Sequence, residues 1–408
     1  LARMFRRGDY RRNFGQRFAR YSPELRDRLA SGQWLWVHAV SVGELLIALK
    51  LLAELHRRRP EWKFIVSNTT STAHALALSK QQDWWIPVYT PVDFAPVVRK
   101  AFDQARPRAV MLTESEMWPN FVWTCRDRKI PVVLTNARVS PRSARRYEKF
   151  AGIARTVVSQ LTAVGVQQAA DAGLWQKLGV PSAKVSVTGS VKYDPEGETF
   201  TARDFRPALS AWGIAPGEPV IVAGSTHAGE EELLVEALRA VRRKHPTARL
   251  LVAPRHVERV PEILSRIDKT GFRIALRSQT PSQPVPDILL IDTTGELRDW
   301  YACADIVFMG KSLAGRGGQN PVEAILAGRP VVFGPHMENF AALTRDLLSA
   351  DGAVRVGDAG QLAKTFGDLL DAPARRADIA SNGIAALAAH RGATSRTADL
   401  IESAVAKG

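Results

Sequence analysis

VHAVSVGE at residues 37–44 and VAGSTHAGEE at residues 222–231 are built alike: an apolar strand, a small polar turn, a glycine, an acid and then a helical run. A strand that enters a helix through such a turn is the opening unit of a parallel sheet with helices on its faces. One copy in each half of the chain predicts two such units in tandem.

Working outward from the first copy, strands are expected at Trp34–Val40, Lys63–Ser67, Ala109–Thr113, Pro131–Thr135 and Leu161–Val166, with helices at Glu44–His56 and Ala73–Ser79. Their apolar runs are too continuous for a sheet with one wet face. The stretch DPEGETFTARDFRPALSAWGIAPGEP, residues 194–219, is polar and rich in Pro and Gly, which marks a linker. Strands then resume at Val220–Ala223, Arg249–Ala253, Ile288–Ile291, Ile306–Phe308 and Val331–Phe333, separated by helical runs such as Glu230–Lys244. The fold class is α/β, with two Rossmann-like, doubly wound domains facing a central cleft, and ligands at the carboxyl ends of the strands. The expected divisions are a basic segment at 1–33, domains at 34–200 and 201–380, and a last helix within 381–408, from about Ser381 to Val405, packing back on the first domain.

The net charge of +15 and the sequence pI near 10.1 call for an anionic partner: nucleic acid, a phosphorylated small molecule or an anionic membrane. At 45% hydrophobic and 24% charged residues the chain is globular rather than disordered. The two cysteines, Cys125 and Cys303, fit reduced core residues of a cytosolic protein. No apolar run reaches the roughly 18 residues that span a bilayer. The first 20 residues hold seven arginines and one aspartate, interleaved with Met4, Phe5, Tyr10, Phe14 and Phe18. Such a segment suits an anionic leaflet; a solvated basic tail is the plainer alternative.

In FMGKSLAGRGGQNPVEA, residues 308–324, an apolar strand meets four glycines, Gly310, Gly315, Gly317 and Gly318, before a helix start. With Asn320 as N-cap and Pro321 in the first turn, the helix end and bare backbone amides suit a phosphate, and Glu323 a ribose diol. A purely structural glycine turn is the alternative. Arg255 in LLVAPRH and Thr294, Gly295 and Glu296 in IDTTGEL end two further strands with groups that suit a ligand. Neither a P-loop nor a dinucleotide glycine motif follows the first strand, which disfavours a nucleoside triphosphate or NAD. Acids stand at strand ends in the first half: Glu44, and Glu114 with Glu116 in TESEMWPN, where an extended i, i+2 spacing puts both on one face. A helix N-terminus lowers the pKa of Glu44, whereas burial and neighbouring carboxylates raise it. Lys192 lies in VTGSVKYD, and Arg138, Arg142, Arg145, Arg146 and Lys149 form a basic run suited to acceptor phosphates or to a solvated face. His38 is expected in the core; His227 and His256 sit on strand-end turns. No metal-ligand spacing is present, so no metal is expected.

WVHAVSVGE, TESEMWPN, NARVS, VTGSVKYD, AGSTHAGEEE, APRH, DTTGEL and GRGGQNPVEA follow one another between about residues 34 and 340. In this order they resemble the motifs of the 3-deoxy-D-manno-octulosonic acid (Kdo) transferases of lipopolysaccharide synthesis. The resemblance implies a GT-B fold and a metal-independent, inverting transfer of Kdo from CMP-Kdo to the tetra-acylated precursor lipid IVA. It implies work at the cytoplasmic face of a bacterial inner membrane, peripherally or through an anchor upstream of this sequence, with no nucleic-acid partner. Glu44 matches the family's general base, and Glu114 and Lys192 its transition-state residues. Donor contacts fall on Pro254, Arg255, Thr294, Gly295, Glu296, Asn320 and Glu323, with Ser312, Gly317 and Gly318 from the glycine turn. Acceptor contacts fall on Ser41, Gly43, Glu116, Arg138, Arg142 and Arg145. Ser190 stands where the family usually has Asn. The alternatives are a UDP-sugar 2-epimerase of similar architecture and a non-enzymatic basic protein on a membrane or nucleic acid.

Overall fold

The apolar strands of the first half assemble into one parallel sheet: β1 (Trp34–His38), β2 (Lys63–Asn68), β3 (Trp85–Tyr89), β4 (Ala109–Thr113), β5 (Val132–Ala137), β6 (Ala163–Val166) and β7 (Val185–Val187), in the order β3-β2-β1-β4-β5-β6-β7. The computed structural model describes residues 13–138, 147, 151–195, 203–281 and 284–406. It divides into one unit of residues 1–196 with 390–408 and a second of residues 197–389.

Alternation along each strand explains why these runs had to be apolar throughout. Trp34 and Trp36 enter one core with Phe102 and Phe121, while Leu35 and Val37 enter the opposite one with Leu45, Leu52 and Ile401. Trp36 stacks on Phe102 at 5.4 Å and meets Phe121 edge-on at 5.5 Å, so the first strand anchors an aromatic cluster.

The second unit repeats the scheme with β8 (Val220–Thr226), β9 (Arg249–Pro254), β10 (Ile274–Leu276), β11 (Ile288–Leu290), β12 (Ile306–Met309), β13 (Val331–Phe333) and β14 (Val354–Arg355), ordered β10-β11-β9-β8-β12-β13-β14. Here one core gathers Leu234, Leu238, Ile263, Phe308 and Phe366 around the sheet.

Two expectations need correction. The linker proposed at 194–219 carries a helix, Arg206–Ala211, and its Arg203 amide donates to Asp299 at 2.7 Å. The last helix is in fact two, Pro373–Ala388 and Ala393–Ala406, separated at Gly392, whose φ is 75°. The cause of the break is a buried carboxylate: Asp194 accepts from the amides of Gly392 at 3.0 Å and Thr394 at 2.6 Å. The final helix lies on the first sheet, where Arg58 reaches Asp399 at 2.6 Å and Glu402 at 3.2 Å.

In each sheet the direction of winding reverses once. β1 lies between β2 and β4, and β8 between β9 and β12. At such a point the loops leaving two neighbouring strands turn opposite ways and open a crevice. In the second sheet the carboxylate of Glu230 fills that place. It accepts from the amides of His227 (2.9 Å), Lys311 (2.7 Å), Ser312 (2.9 Å) and Leu313 (3.0 Å), and the residue is fully buried. One side chain thus ties the loop after β8 to the loop after β12.

Two measurements check these clamps. Glu230→Ala is expected to speed hydrogen exchange of the amides at 311–313 by about tenfold or more, since each loses a buried acceptor; unchanged protection there would refute the clamp. Asp194→Ala strands two amides and is expected to lower the unfolding free energy by about 2–4 kcal/mol, read from denaturant midpoints.

Candidate active site

The helix Val42–Arg58 begins with Ser41 as N-cap and Glu44 three residues on, the spacing of a capping box. Ser41 Oγ accepts from the Glu44 amide at 3.4 Å and donates to Glu44 Oε1 at 2.9 Å. Glu44 Oε2 accepts from the Val40 amide at 2.9 Å and lies 3.2 Å from Thr113 Oγ1, at the end of β4. Both carboxylate oxygens are therefore oriented at the point where the first sheet reverses. Burial pushes the Glu44 carboxyl up to about 6; the hydrogen bonds from Val40 and Ser41 pull it down, and the charges of Glu116 and Glu114 add to the rise. Gly43 is exposed beside it.

Glu114 and Glu116 do not share an extended segment, as their spacing suggested. Glu114 has φ 55°, in the left-handed region, and the chain folds into a turn in which the Glu116 amide donates to Thr113 O at 3.2 Å. A non-glycine residue held there costs about 1–3 kcal/mol, offset here by the bond from the Glu114 amide to Thr135 O at 2.9 Å. The turn sends the Glu114 carboxylate to Arg138 Nη2 at 3.0 Å and that of Glu116 to Trp118 Nε1 at 3.3 Å. Burial lowers the Lys192 ammonium to about 8, with Glu114 opposing the shift and Arg138 adding to it. Ser190 is sealed, its hydroxyl donating to Asn136 Oδ1 at 3.3 Å and its amide to His390 Nδ1 at 3.2 Å. The structure thus brings Ser41, Glu44, Glu114, Glu116, Arg138 and Lys192 into one neighbourhood. Arg142, Arg145, Arg146 and Lys149 lie outside the described residues.

In the second unit the sheet order sets the ends of β11, β9, β8 and β12 side by side. Pro254 closes β9 and is buried, while Arg255 is exposed, its amide bonded to Thr226 O at 3.0 Å. Thr294 and Gly295 are exposed after β11, and Glu296 accepts from Thr293 Oγ1 at 2.6 Å. The His227 and His256 rings stand 6.2 Å apart.

The glycine stretch differs from its expected form. What approaches these glycines is the protein itself: a Cβ on Gly310 would sit 2.2 Å from the Ser225 carbonyl oxygen, and one on Gly318, at φ 70°, 2.3 Å from Met337 Sδ. The amides of Gly317 and Gly318 are already bonded, to Glu338 Oε2 at 2.7 Å and Lys311 O at 3.0 Å. Ser312 is fully buried, its hydroxyl donating to Met309 O and accepting from the Gly334 amide at 2.8 Å. These three residues build the loop and offer no free donor to a phosphate. The helix that follows is Val322–Leu326, only five residues long, with Pro321 rather than Asn320 at the N-cap; Asn320 Oδ1 still accepts from the Val322 amide at 3.2 Å. Asn320 is exposed and Glu323 half-buried.

Two residues that sequence reasoning passed over matter here, Thr113 and Glu230. The signal for Glu230 was the echo of the Glu44 turn; for Thr113 it was a hydroxyl closing a strand immediately before an acid. Among the described residues no three His, Cys, Asp or Glu side chains gather as metal ligands would, and no helix is long and apolar enough to cross a membrane.

Residues 12–195 match the family model of the 3-deoxy-D-manno-octulosonic-acid transferases (kdotransferase). The Kdo transferase of Bordetella pertussis is 35% identical over 386 residues, covering 90% of this chain and 86% of its own. That of Haemophilus influenzae is 31% identical over 396 residues, 93% of this chain and 92% of its own. Among solved structures, the UDP-GlcNAc 2-epimerase of Neisseria meningitidis covers 92% of this chain and 100% of its own with a TM-score of 0.59 at 14% identity, a likeness of fold of the GT-B type. The identities to the two transferases, spread over nearly the whole chain, place it in the 3-deoxy-D-manno-octulosonic acid transferase family.

Proposed function

We propose that this chain transfers Kdo from CMP-Kdo to lipid IVA with inversion, Glu44 acting as general base. The observation that carries this is the state of Glu44: a half-buried carboxyl, pushed up to about 6, with both oxygens held by neighbours beside exposed Gly43. A base of this strength is ionised at neutral pH yet still accepts a proton readily. Ser41, Gly43 and Glu116 lie beside it and, with Arg138 paired to Glu114, make up the acceptor side, Arg142 and Arg145 continuing the basic run in sequence.

In the reaction the acceptor hydroxyl gives its proton to Glu44, and its oxygen lone pair forms the bond to the anomeric carbon of Kdo. The bond from that carbon to the CMP phosphate oxygen breaks, its electron pair leaving with CMP. Lys192, lowered to about 8, is still largely cationic at neutral pH and offers positive charge to the transition state, with Glu114 fixing its surroundings. CMP departs as an anion, and Arg255, exposed at the end of β9, supplies positive charge to it, a role that a metal fills in other glycosyltransferases. Pro254, Thr294, Gly295, Glu296, Asn320 and Glu323 complete the donor set on the neighbouring strand ends.

The location follows the acceptor, whose acyl chains stay in the cytoplasmic leaflet. The +15 charge supports attraction to an anionic surface, as do the partly exposed rings of Phe14 and Phe18, 5.8 Å apart. Arg17 takes no part in that attraction. It is buried, its guanidinium 4.1 Å over the Tyr89 ring and Nη2 bonded to Thr69 O at 2.7 Å.

Incubation with CTP, Kdo, CMP-Kdo synthetase and lipid IVA, in which the synthetase joins Kdo to the CMP part of CTP with release of pyrophosphate, is expected to raise the mass of the lipid by one or more Kdo units; an unchanged lipid overturns the proposal. Glu44→Gln is expected to abolish that gain while CMP binding, measured by calorimetry, stays within about twofold of wild type; loss of both would make the residue structural. Because Glu44 must be ionised to act, kcat/KM is expected to fall as pH drops through about 6, rather than near the roughly 4.3 of a free glutamate.

A further inference from the structure

Thr113 closes β4, is buried, and carries one hydroxyl proton with two acceptors in reach. Its Oγ1 lies 2.9 Å from the His38 carbonyl oxygen and 3.2 Å from Glu44 Oε2. A hydroxyl can donate to only one of them at a time. The two acceptors differ in kind. The carbonyl never changes charge, whereas the carboxylate is a strong acceptor when ionised and a weaker one when protonated. A threonine that only stitched β4 to β1 would need the carbonyl alone.

We infer that Thr113 is a positioning residue for Glu44, its hydroxyl proton bonded to the carboxylate while Glu44 is ionised and turned to the His38 carbonyl once Glu44 has taken the acceptor's proton. This rests on the assignment of Glu44 as the base. The rotation leaves no buried donor unsatisfied in either state, so the hydroxyl helps hold the ionised form against burial without trapping the protonated one. Oε2 keeps the Val40 amide throughout, and Oε1 the Ser41 hydroxyl.

The charged and titratable groups around Glu44 set the background for a pH test. Glu116 and Glu114 act on it from the loop after β4, and Arg138 pairs with Glu114. Lys192 is coupled to Glu114 and Arg138. The His38 ring, on β1, is held neutral by burial, well below its usual range. Lys50, further along the helix of Glu44, is bonded to Asp194 O. Thr113→Val leaves every one of these residues in the chain, and comparison with Thr113→Ser isolates the part of any shift in the acid limb that belongs to the hydroxyl.

Thr113→Val keeps the shape of the side chain and removes the donor. Losing a hydrogen bond to the charged form, in a more apolar setting, favours the protonated acid. The acid limb of kcat/KM for Kdo transfer to lipid IVA is therefore expected to move up by about one pH unit. The loss of activity would be largest below pH 7 and small at pH 9. Thr113→Ser is expected to restore the wild-type limb. Thermal midpoints and CMP binding establish that the variants are folded, and Thr113→Ala, set against Thr113→Ser, carries the same comparison should the valine variant not fold. An acid limb that stays in place or moves down in the folded variant overturns the inference. Glu44→Gln run alongside separates the two layers: turnover in that variant refutes the base itself, whereas an inactive Glu44→Gln with an unmoved Thr113→Val limb refutes only the role of Thr113.

Discussion

Both sheets must resolve the same problem, which is what to do with backbone donors at a point where neighbouring strands send their chains in opposite directions. No strand continues there to pair with the freed amides, and unpaired buried amides are costly. Each unit answers with a glutamate placed just past the first strand. Glu44 takes the amide of Val40 and the hydroxyl of Ser41, and Glu230 takes four amides from two loops. The crevice of each sheet is defined by the carboxylate that closes or half-closes it.

The difference between the two is what makes one of them suited to chemistry. Glu230 is surrounded by donors on every side, fully buried, and has no vacant face for a substrate. Glu44 has fewer donors and an exposed glycine beside it, and burial, with the charges of Glu116 and Glu114 adding to it, raises its proton affinity. The same local device is a strut in one unit and, in the function proposed above, a proton acceptor in the other. They differ in the number of amides the surrounding loops leave to be satisfied, one at Glu44 and four at Glu230.

Most of the central architecture is legible in the chain itself. The ten expected strands all form, because residues buried on both faces must be apolar at every position, and that leaves an unmistakable run. The four strands that escape notice, β3, β7, β10 and β14, are the four sheet edges. An edge pairs on one side only, so it is short or tolerates interruptions: β7 is Val-Ser-Val, β14 has two residues, and β3 contains Pro87. At the site, acids and cations at strand ends were readable by type and position. The glycine segment was misread in part because glycine records close approach without recording by what. A ligand and the protein's own Ser225 and Met337 leave the same trace in sequence. The left-handed turn at Glu114 was invisible for the opposite reason, since nothing in the residue type announces it.

The return of the chain to the first unit bears on the site more directly than its distance in sequence suggests. Lys192 sits in a segment gripped from two directions. Asn136 Oδ1 takes the hydroxyl of Ser190 and the amide of Val191 at 3.1 Å, while His390 takes the amide of Ser190. Two residues past Lys192, Asp194 holds the start of the final helix through Gly392 and Thr394, and its carbonyl receives Lys50 from the helix that Glu44 begins. A lysine whose ammonium is lowered by burial needs such restraint, because a free four-carbon chain would swing the charge back to water. The final helix therefore stabilises more than the sheet it covers: through Asp194 it ties the segment of Lys192 to the helix that carries Glu44.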